Sequence, residues 1–345
     1  MTGSILAARL RTGMKTTGLS LAIGAMAAFA TPDAAEAAKT LRVTLQLPLK
    51  NILGQNHLAF KEIVERESNG EIKVEIYDSA QLYKDKEVPQ AVASGAVEMG
   101  SASLTRFAGT IPAVDLMFVP FTFNDNASIA KATAPGHPIR EALDAEILKT
   151  GARVLWWQAF GLSVMLSKDE PIAAPADMKD KKVRVFGKIL GEFVKQTGAA
   201  PTLMSGSEQF LAYQRGTVDA GMTGVTAVKS RKLHEVMDYA ILTNHAGLEF
   251  VVLINEDVWQ GFSDKEREII GNAARTVEKE LREKYAKIHE DTIAWIKAQT
   301  DMKVVDLTDA QRAEWRKAAE PVVDFYIKQS GPLGEKLISE ARKLQ

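Results

Sequence analysis

Apolar and polar residues alternate in short stretches after residue 40, and each such stretch predicts a β-strand. Strands are predicted at residues 41–47, 72–77 and 97–100, and apolar residues at helical spacing predict helices at 56–67 and 86–94. Because strands and helices alternate, we expect a parallel sheet with helices on its faces.

The strand–helix alternation resumes after Pro171, so the chain contains a second α/β block of similar size. Here the pattern predicts strands at residues 183–186, 201–204, 218–222 and 239–242, and helices at 188–197, 207–215 and 226–235. Between the two blocks, residues 153–158 and 164–167 are interpreted as two separate strands. A further apolar strand is predicted at residues 250–254.

The C-terminal part of the chain is predicted to be mostly helical. Ser263-Asp-Lys-Glu266 is a capping box that starts an amphipathic pattern running to about Gln299. Such a helix is ~50 Å long at 1.5 Å per residue, which is long enough to brace two domains. Two shorter helices are the alternative. Thr308-Asp-Ala-Gln311 caps another predicted helix, and Gly331-Pro332 precedes the last one.

The first 37 residues have the features of a secretory signal peptide. Three basic residues, Arg9, Arg11 and Lys15, precede a short apolar core, and Ala35-Glu-Ala37 is a cleavage signal. Met14 is an alternative start, and an uncleaved anchor helix is the alternative structure. The apolar run is short for a membrane span. We therefore predict cleavage after residue 37 and a periplasmic protein.

Composition narrows the class of protein. The 345 residues suggest two domains, and the contents of 46% hydrophobic and 25% charged residues are typical of a globular protein. The net charge of −1 indicates no nucleic-acid partner. The sequence has no cysteine, which excludes disulfides and a lipidated N-terminal cysteine.

The sequence contains no pattern typical of catalysis or metal binding. Its five histidines are scattered without the spacing of a metal site, so we predict neither a metal nor another cofactor. No Gly-x-Ser-x-Gly or Ser-x-x-Lys context supports a nucleophile. We therefore assign no catalytic residue and expect a protein that is not an enzyme.

Arg184 is the first candidate for ligand binding. Val183 and Val185 point to one face of a predicted strand, and Arg184 and Phe186 point to the other. The strand ends at Gly187, where a helix begins, and ligands of open α/β sheets bind at such strand ends. The planar guanidinium suits a carboxylate. The alternative is an arginine on the wet face of an edge strand.

The order of several short motifs makes the chain, from about residue 41 to 277, similar to the solute-binding proteins of tripartite ATP-independent periplasmic (TRAP) transporters. The motifs are Gly95-Ala-Val-Glu-Met-Gly100, Val119-Pro-Phe-Thr-Phe123, Pro175-Ala-Asp-Met-Lys179, Lys182-Val-Arg-Val185, Gly198-Ala-Ala-Pro201, Ser207-Glu208, Gly216-Thr-Val-Asp-Ala220 and Lys232-Leu-His-Glu-Val236. Each motif is weak by itself, and their order and spacing carry the resemblance.

The resemblance implies an α/β fold with two lobes, each a mostly parallel sheet flanked by helices. It places lobe I at residues 38–158 plus 248–285 and lobe II at 159–247 plus 286–345, with a helix over about 264–299 bridging them. The strand at 250–254 would then return to the first sheet. The family pattern also implies a monomer that closes over one organic acid and passes it to ion-gradient-driven membrane permease subunits.

The resemblance places Arg184 at the family's arginine that pairs with the ligand carboxylate. A second arginine that is frequent in the family is replaced by Leu162, an asparagine by Thr223 and an aromatic residue by Gly206. These departures predict a roomier, less polar pocket that suits a monocarboxylate with an apolar or aromatic body. The further candidate site residues are Gln158, Thr223, Phe186, Trp157 and Phe250.

Two other functions stay open at this point. The same architecture serves receptors of ATP-driven importers and of sensor kinases, and the neighbouring genes distinguish these from a TRAP receptor. A periplasmic enzyme on a two-lobed scaffold is the alternative from another class.

Overall fold

The computed structural model describes residues 38–123 and 125–344, so the predicted signal peptide lies outside the described residues. The strands are β1 (Lys39–Leu45), β2 (Ile72–Tyr77), β3 (Met99–Ser103), β4 (Ala152–Ser167), β5 (Lys182–Val185), β6 (Ala200–Leu203), β7 (Ala220–Gly224), β8 (Tyr239–Ile241), β9 (Gly247–Asn255) and β10 (Lys303–Val305). The helices are α1 (Ile52–Glu67), α2 (Val88–Ala93), α3 (Asn126–Ala132), α4 (Pro138–Leu148), α5 (Lys188–Gln196), α6 (Gln209–Gln214), α7 (Val225–Ser230), α8 (Glu256–Gln260), α9 (Asp264–Gln299) and α10 (Asp309–Arg342).

The strands form a mixed sheet in the order β2-β1-β3-β9-β4-β7-β5-β6. β1 pairs in parallel with β2 and β3, and β5 pairs in parallel with β6 and β7, as the two strand–helix blocks predict. β9 runs antiparallel between β3 and β4, so it joins the sheet of the first block. β8 pairs with β4 and β10 beside this path.

β4 passes through both blocks. Its residues Ala152–Leu162 pair with β9, and Ser163–Ser167 pair with β7 and β8. The prediction of two separate strands is wrong because Gly161, with a φ of +82°, forms a bulge inside one strand. A side chain there would collide with the ring of Tyr285, whose hydroxyl donates to the Phe160 carbonyl at 2.9 Å.

Because β4 is shared, we call β1, β2, β3, β9 and the part of β4 paired with β9 the first half of the sheet. The second half contains β5, β6, β7, β8, β10 and the rest of β4. The predicted lobe boundaries stay predictions, since a shared strand does not decide where one lobe ends.

The long C-terminal helices were predicted from their capping boxes. α9 is one helix of 36 residues that begins after Ser263, and at 1.5 Å per residue it is ~54 Å long. It packs on α1 and β4 and reaches α7. α10 begins after Thr308 and contains a kink at Gly331, where two helices were expected. In the described part of the chain, no helix is long and apolar enough to cross a membrane.

Buried charged side chains tie α9 to the first half of the sheet. Arg282 of α9 donates to both carboxylate oxygens of Glu249 on β9, at 3.0 and 3.3 Å. Arg140 of α4 donates to both oxygens of Glu278 on α9, at 2.5 and 3.0 Å. Arg282 also lies 3.5 Å from Glu278. Each of these two arginines therefore faces a carboxylate, as buried charges require.

Candidate ligand-binding site

A small cavity of about 30 Å³ lies between the two halves of the sheet. Its wall is formed by Gln46, Asp85, Ser103, Phe160, Arg184, Phe186, Gly206, Gln209, Thr223, Gly224, Arg231, Leu248 and Phe250. The structure thus brings together four of the six predicted site residues, namely Arg184, Phe186, Thr223 and Phe250.

Arg184 lies inside the sheet rather than at its edge. β5 is flanked by β6 and β7, and Arg184 is only 3% exposed, so the alternative of an arginine on a wet edge strand is wrong. The guanidinium carbon lies 5.1 Å from the ring centre of Phe186, which places both side chains on one face as the alternation predicts.

The Arg184 guanidinium is held by backbone groups. Nη1 donates to the carbonyl of Met222 at 2.5 Å, and Nη2 donates to that of Met204 at 3.1 Å. Its buried Nε has no hydrogen-bond partner, and within the described residues no carboxylate lies within 4.0 Å of this side chain. Burial lowers the pKa of Arg184 to about 9. A buried cation without a counterion is costly, and a ligand carboxylate would relieve that cost.

Arg231, which follows α7, was not predicted as a site residue. Its guanidinium lies where a side chain of residue 206 would be, since a Cβ on Gly206 would stand 2.8 Å from the Arg231 Cζ. Burial lowers the pKa of Arg231 to about 10, against the opposing effect of Asp85. The expectation of a roomier, less polar pocket at Gly206 is therefore wrong, because an arginine from α7's end fills the space.

Two further charged residues missed by the sequence patterns stand beside the cavity. Asp85 accepts a hydrogen bond from the Ser103 backbone at 2.9 Å and forms a close ion pair with Arg106. Both members of the pair are buried. Arg106 thus pairs directly with Asp85, whereas within the described residues Arg184 and Arg231 have no carboxylate within 4.0 Å. Asp85 precedes α2 on a loop without a recognisable motif, so no sequence signal marked it.

Phe160, Phe186, Leu248 and Phe250 form the apolar wall of the cavity. The rings of Phe160 and Phe250 meet edge to face with centres 5.2 Å apart. All four side chains are at most 6% exposed. One side of the cavity is therefore aromatic and dry, and the other presents guanidinium and amide groups.

The other two predicted site residues, Trp157 and Gln158, do not belong to this wall. Trp157 is fully buried, and its indole nitrogen donates to Asp144 at 2.8 Å. Gln158 donates to the Asn56 Oδ1 at 2.8 Å and accepts from Ser101 at 2.8 Å. Their hydrogen-bond partners lie on α4, α1 and β3, and neither side chain lines the cavity.

Three contacts join residues of the first α/β block to residues of the second. Arg231 Nη2 donates to Gln46 Oε1 at 3.0 Å, Asn51 Nδ2 donates to Ser230 Oγ at 2.9 Å, and Lys84 pairs with Glu208 at 3.0 Å. These contacts lie beside a cavity that has little room, about 30 Å³.

A larger groove of about 550 Å³ lies outside this site, between Lys50, α7 and α9. Its most prominent pair is Lys229 over the ring of Trp295, 4.6 Å from its centre. Within the described residues no group of histidine and acidic side chains has an arrangement suited to a metal ion, there or elsewhere. The small cavity remains the candidate site, because its buried Arg184 has no acidic partner.

The fold is that of a two-lobed solute-binding protein, with the cavity between the lobes. The chain belongs to the DctP family, described as bacterial extracellular solute-binding protein, family 7, whose model matches residues 45–329. This confirms the resemblance to the solute-binding proteins of TRAP transporters.

Relatives and solved structures agree with this assignment. The C4-dicarboxylate-binding periplasmic protein DctP of Rhodobacter capsulatus is 29% identical over 289 residues, covering 81% of this chain and 83% of the relative. A TRAP periplasmic solute-binding protein from Sulfurospirillum deleyianum, solved with bound succinate, is 26% identical with a TM-score of 0.84, covering 90% of this chain and 100% of that one. A sugar acid binding protein from Advenella mimigardefordensis, in complex with galactonate, has a TM-score of 0.85 at 23% identity, covers 89% and 99% of the two chains and supports the fold alone.

Proposed function

We propose that this protein is a periplasmic receptor that captures an organic acid and delivers it to an ion-gradient-driven TRAP membrane transporter. The observation that carries the proposal is the buried Arg184, whose hydrogen bonds go to backbone carbonyls and which, within the described residues, has no carboxylate within 4.0 Å. A ligand carboxylate supplies the missing charge and two parallel hydrogen bonds. The names of the relatives, which bind C4-dicarboxylates, sialic acid and sugar acids, support an acid as ligand.

Closure of the two lobes delivers the acid into a dry site. Residues of the cavity come from both halves of the sheet, so a ligand gains its full set of contacts only when the halves meet. Contacts such as Asn51–Ser230 would have to part for the acid to enter. β4 and α9 run through both halves and are the elements about which such a movement would take place.

The ligand we propose is a monocarboxylate with an apolar or aromatic body. The carboxylate would bind Arg184, and the body would pack on Phe160, Phe186 and Phe250. Leu162 and Thr223 stand where many family members are expected to have an arginine and an asparagine, and this difference also favours a less polar ligand.

A thermal-shift screen against a library of carboxylic acids tests the proposal. A ligand present at 100-fold its dissociation constant adds ~2.7 kcal/mol to the free energy of unfolding. We expect one or a few monocarboxylates to raise the melting temperature, and uncharged analogues of the same shape to have no effect. The proposal fails if amides or alcohols stabilise the protein as well as the acids do.

Two alternatives are tested with the same ligand. A receptor for an ATP-driven importer or a sensor kinase would bind an acid equally well, and uptake measured after deletion of each permease gene distinguishes it. An enzyme would convert the acid during long incubation, whereas a receptor returns it unchanged. The membership in a family of solute-binding proteins supports the receptor.

A further inference from the structure

We infer that Arg231 is a second ligand-binding residue, and that together with Asp85 it selects acids that carry a hydroxyl group next to the carboxylate. This inference rests on the proposed function, because it presupposes that a carboxylate binds Arg184. The inference extends the proposed function, because a second ligand-binding residue specifies which class of acid is bound.

Gly206 is what allows Arg231 to reach the cavity. A Cβ on residue 206 would lie 2.7 Å from Nη2 and 2.8 Å from Cζ of Arg231, well inside the contact distance of carbon atoms. Gly206 does not have the positive φ that would require glycine for the backbone. The glycine is therefore explained by the guanidinium that occupies its side-chain space.

The guanidinium of Arg231 has N–H donors that are not used in hydrogen bonds within the described residues. A guanidinium carries five N–H groups, and in the described residues the hydrogen bond of this side chain goes to Gln46 Oε1. Gln46, which directly follows β1, is 3% exposed, so its side chain holds the guanidinium at the wall of the cavity. Arg231 lines the cavity, and within the described residues no carboxylate lies within 4.0 Å of its guanidinium.

Asp85 supplies the complementary acceptor. Its carboxylate is 1% exposed and uses one oxygen for the Ser103 N–H and the other for Arg106. An ionised carboxylate has about four acceptor positions, so Asp85 can accept a further hydrogen bond. A hydroxyl group is both donor and acceptor, and it can donate to Asp85 while it accepts from Arg231.

The same residues disfavour a second carboxylate at this position. A carboxylate cannot donate to Asp85, and two like charges in a dry cavity repel each other. A hydroxyl on the carbon next to the carboxylate satisfies both conditions.

Calorimetric titration with two matched pairs of acids tests this inference: lactate against propionate, and mandelate against phenylacetate. For the pair whose body fits the site, we expect the wild-type protein to bind the hydroxy acid roughly tenfold or more tightly, the effect of a hydrogen bond to a charged group. In Arg231→Met the ratio should fall below about threefold, while the affinity for the acid without the hydroxyl changes little. Gly206→Ala, which retains Arg231 but displaces its guanidinium, should reduce the same ratio.

The control is Arg215→Met at the exposed end of α6, which should retain the wild-type ratio. The inference is overturned if the wild-type protein binds both members of each pair equally, or if Arg231→Met and Gly206→Ala keep the preference. Tight binding of acids with an unchanged ratio in the variants contradicts this inference alone. If no acid binds at all, both this inference and the proposed function are contradicted.

Discussion

Two groups of largely buried arginines in this protein differ in whether a carboxylate of the protein pairs with them. On the helices that pack on the first half of the sheet, Arg140 and Arg282 face Glu278 and Glu249 through bidentate or near-bidentate contacts. In the cavity, Arg184 donates to two backbone carbonyls, and within the described residues no carboxylate lies within 4.0 Å of it. A buried Nε without a hydrogen bond occurs in both Arg184 and Arg282, so the carboxylate partner is what distinguishes the two groups.

The presence or absence of a carboxylate partner distinguishes arginines that stabilise the fold from arginines that would bind a ligand. A pair that is complete within the protein holds elements together, and removal of one member leaves the other buried and uncompensated. A buried arginine without a counterion lowers the stability of the ligand-free protein. A bound ligand carboxylate would supply the missing negative charge. The comparison therefore predicts that substitutions in one group affect stability and those in the other affect binding.

Arg140→Ala should cause the largest change in stability, because it leaves Glu278 without its bidentate partner. We expect a loss of ~3–5 kcal/mol in the free energy of unfolding, measured in urea. Arg66→Ala, which breaks an exposed pair with Glu67, is the control and should cost ~1 kcal/mol or less. Equal losses in the two variants would show that burial of the Arg140 pair is unimportant.

Arg184→Ala should cause the largest change in binding. A ligand carboxylate left unpaired in a desolvated site costs roughly 2–5 kcal/mol, which corresponds to ~30-fold to several thousand-fold in affinity. Arg184→Lys retains the charge but loses the planar fork, so it should recover only part of the affinity. Calorimetric titration with the acid found in the screen measures both. A folded Arg184→Ala protein that binds within about threefold of wild type would make Arg184 a structural residue.

Asp115 is a buried carboxylate that accepts from Thr105, and within the described residues no basic side chain lies within 4.0 Å of it. Burial raises the pKa of Asp115 from 3.8 to about 7. Because the folded-state pKa lies above the unfolded value, the group's contribution to stability is complete below about pH 4. It is lost as the pH rises through 7.

Asp115→Asn keeps an acceptor for Thr105 but cannot ionise, so it lacks this loss. The melting temperature of the wild-type protein should therefore fall relative to that of Asp115→Asn between pH 5 and 8, by roughly 2–4 °C for each kcal/mol lost. Parallel curves for the two proteins would show that Asp115 is already ionised in the folded state.

Salt should have the smallest effect on binding. A buried ion pair is screened weakly, and the Debye length acts mainly on exposed charges. Raising the NaCl concentration from 50 to 500 mM should therefore change the affinity for the acid less than either substitution of Arg184 does. A salt effect as large as that of Arg184→Ala would place the carboxylate at an exposed site.

The elements of the fold were largely predictable because their signals are local. The capping box at Ser263 and the amphipathic pattern after it predicted α9, and the alternation around Arg184 predicted β5. The continuity of β4 was missed, since Gly161 is typical of a break and only its contact with Tyr285 shows that it is a bulge.

The candidate site was only partly predictable, because its polar residues come from segments that are far apart in the sequence. Arg231 stands in a run with Lys229 and Lys232 that is typical of a solvated surface. Its place in the cavity depends on Gly206, which is distant in sequence, and on Gln46 from the other half of the sheet. A local sequence pattern does not indicate contacts between residues that are far apart in the chain. Asp85 was missed for the same reason.

Urea unfolding of wild type, Arg184→Ala and Arg140→Ala, with and without the acid, tests the central claim most directly. We predict that Arg184→Ala without ligand loses less free energy of unfolding than Arg140→Ala does. With the acid at 100-fold the wild-type dissociation constant, wild type and Arg140→Ala should both gain ~2.7 kcal/mol, and Arg184→Ala should gain little. The account is contradicted if Arg184→Ala is destabilised as much as Arg140→Ala and still gains the full stabilisation from the acid.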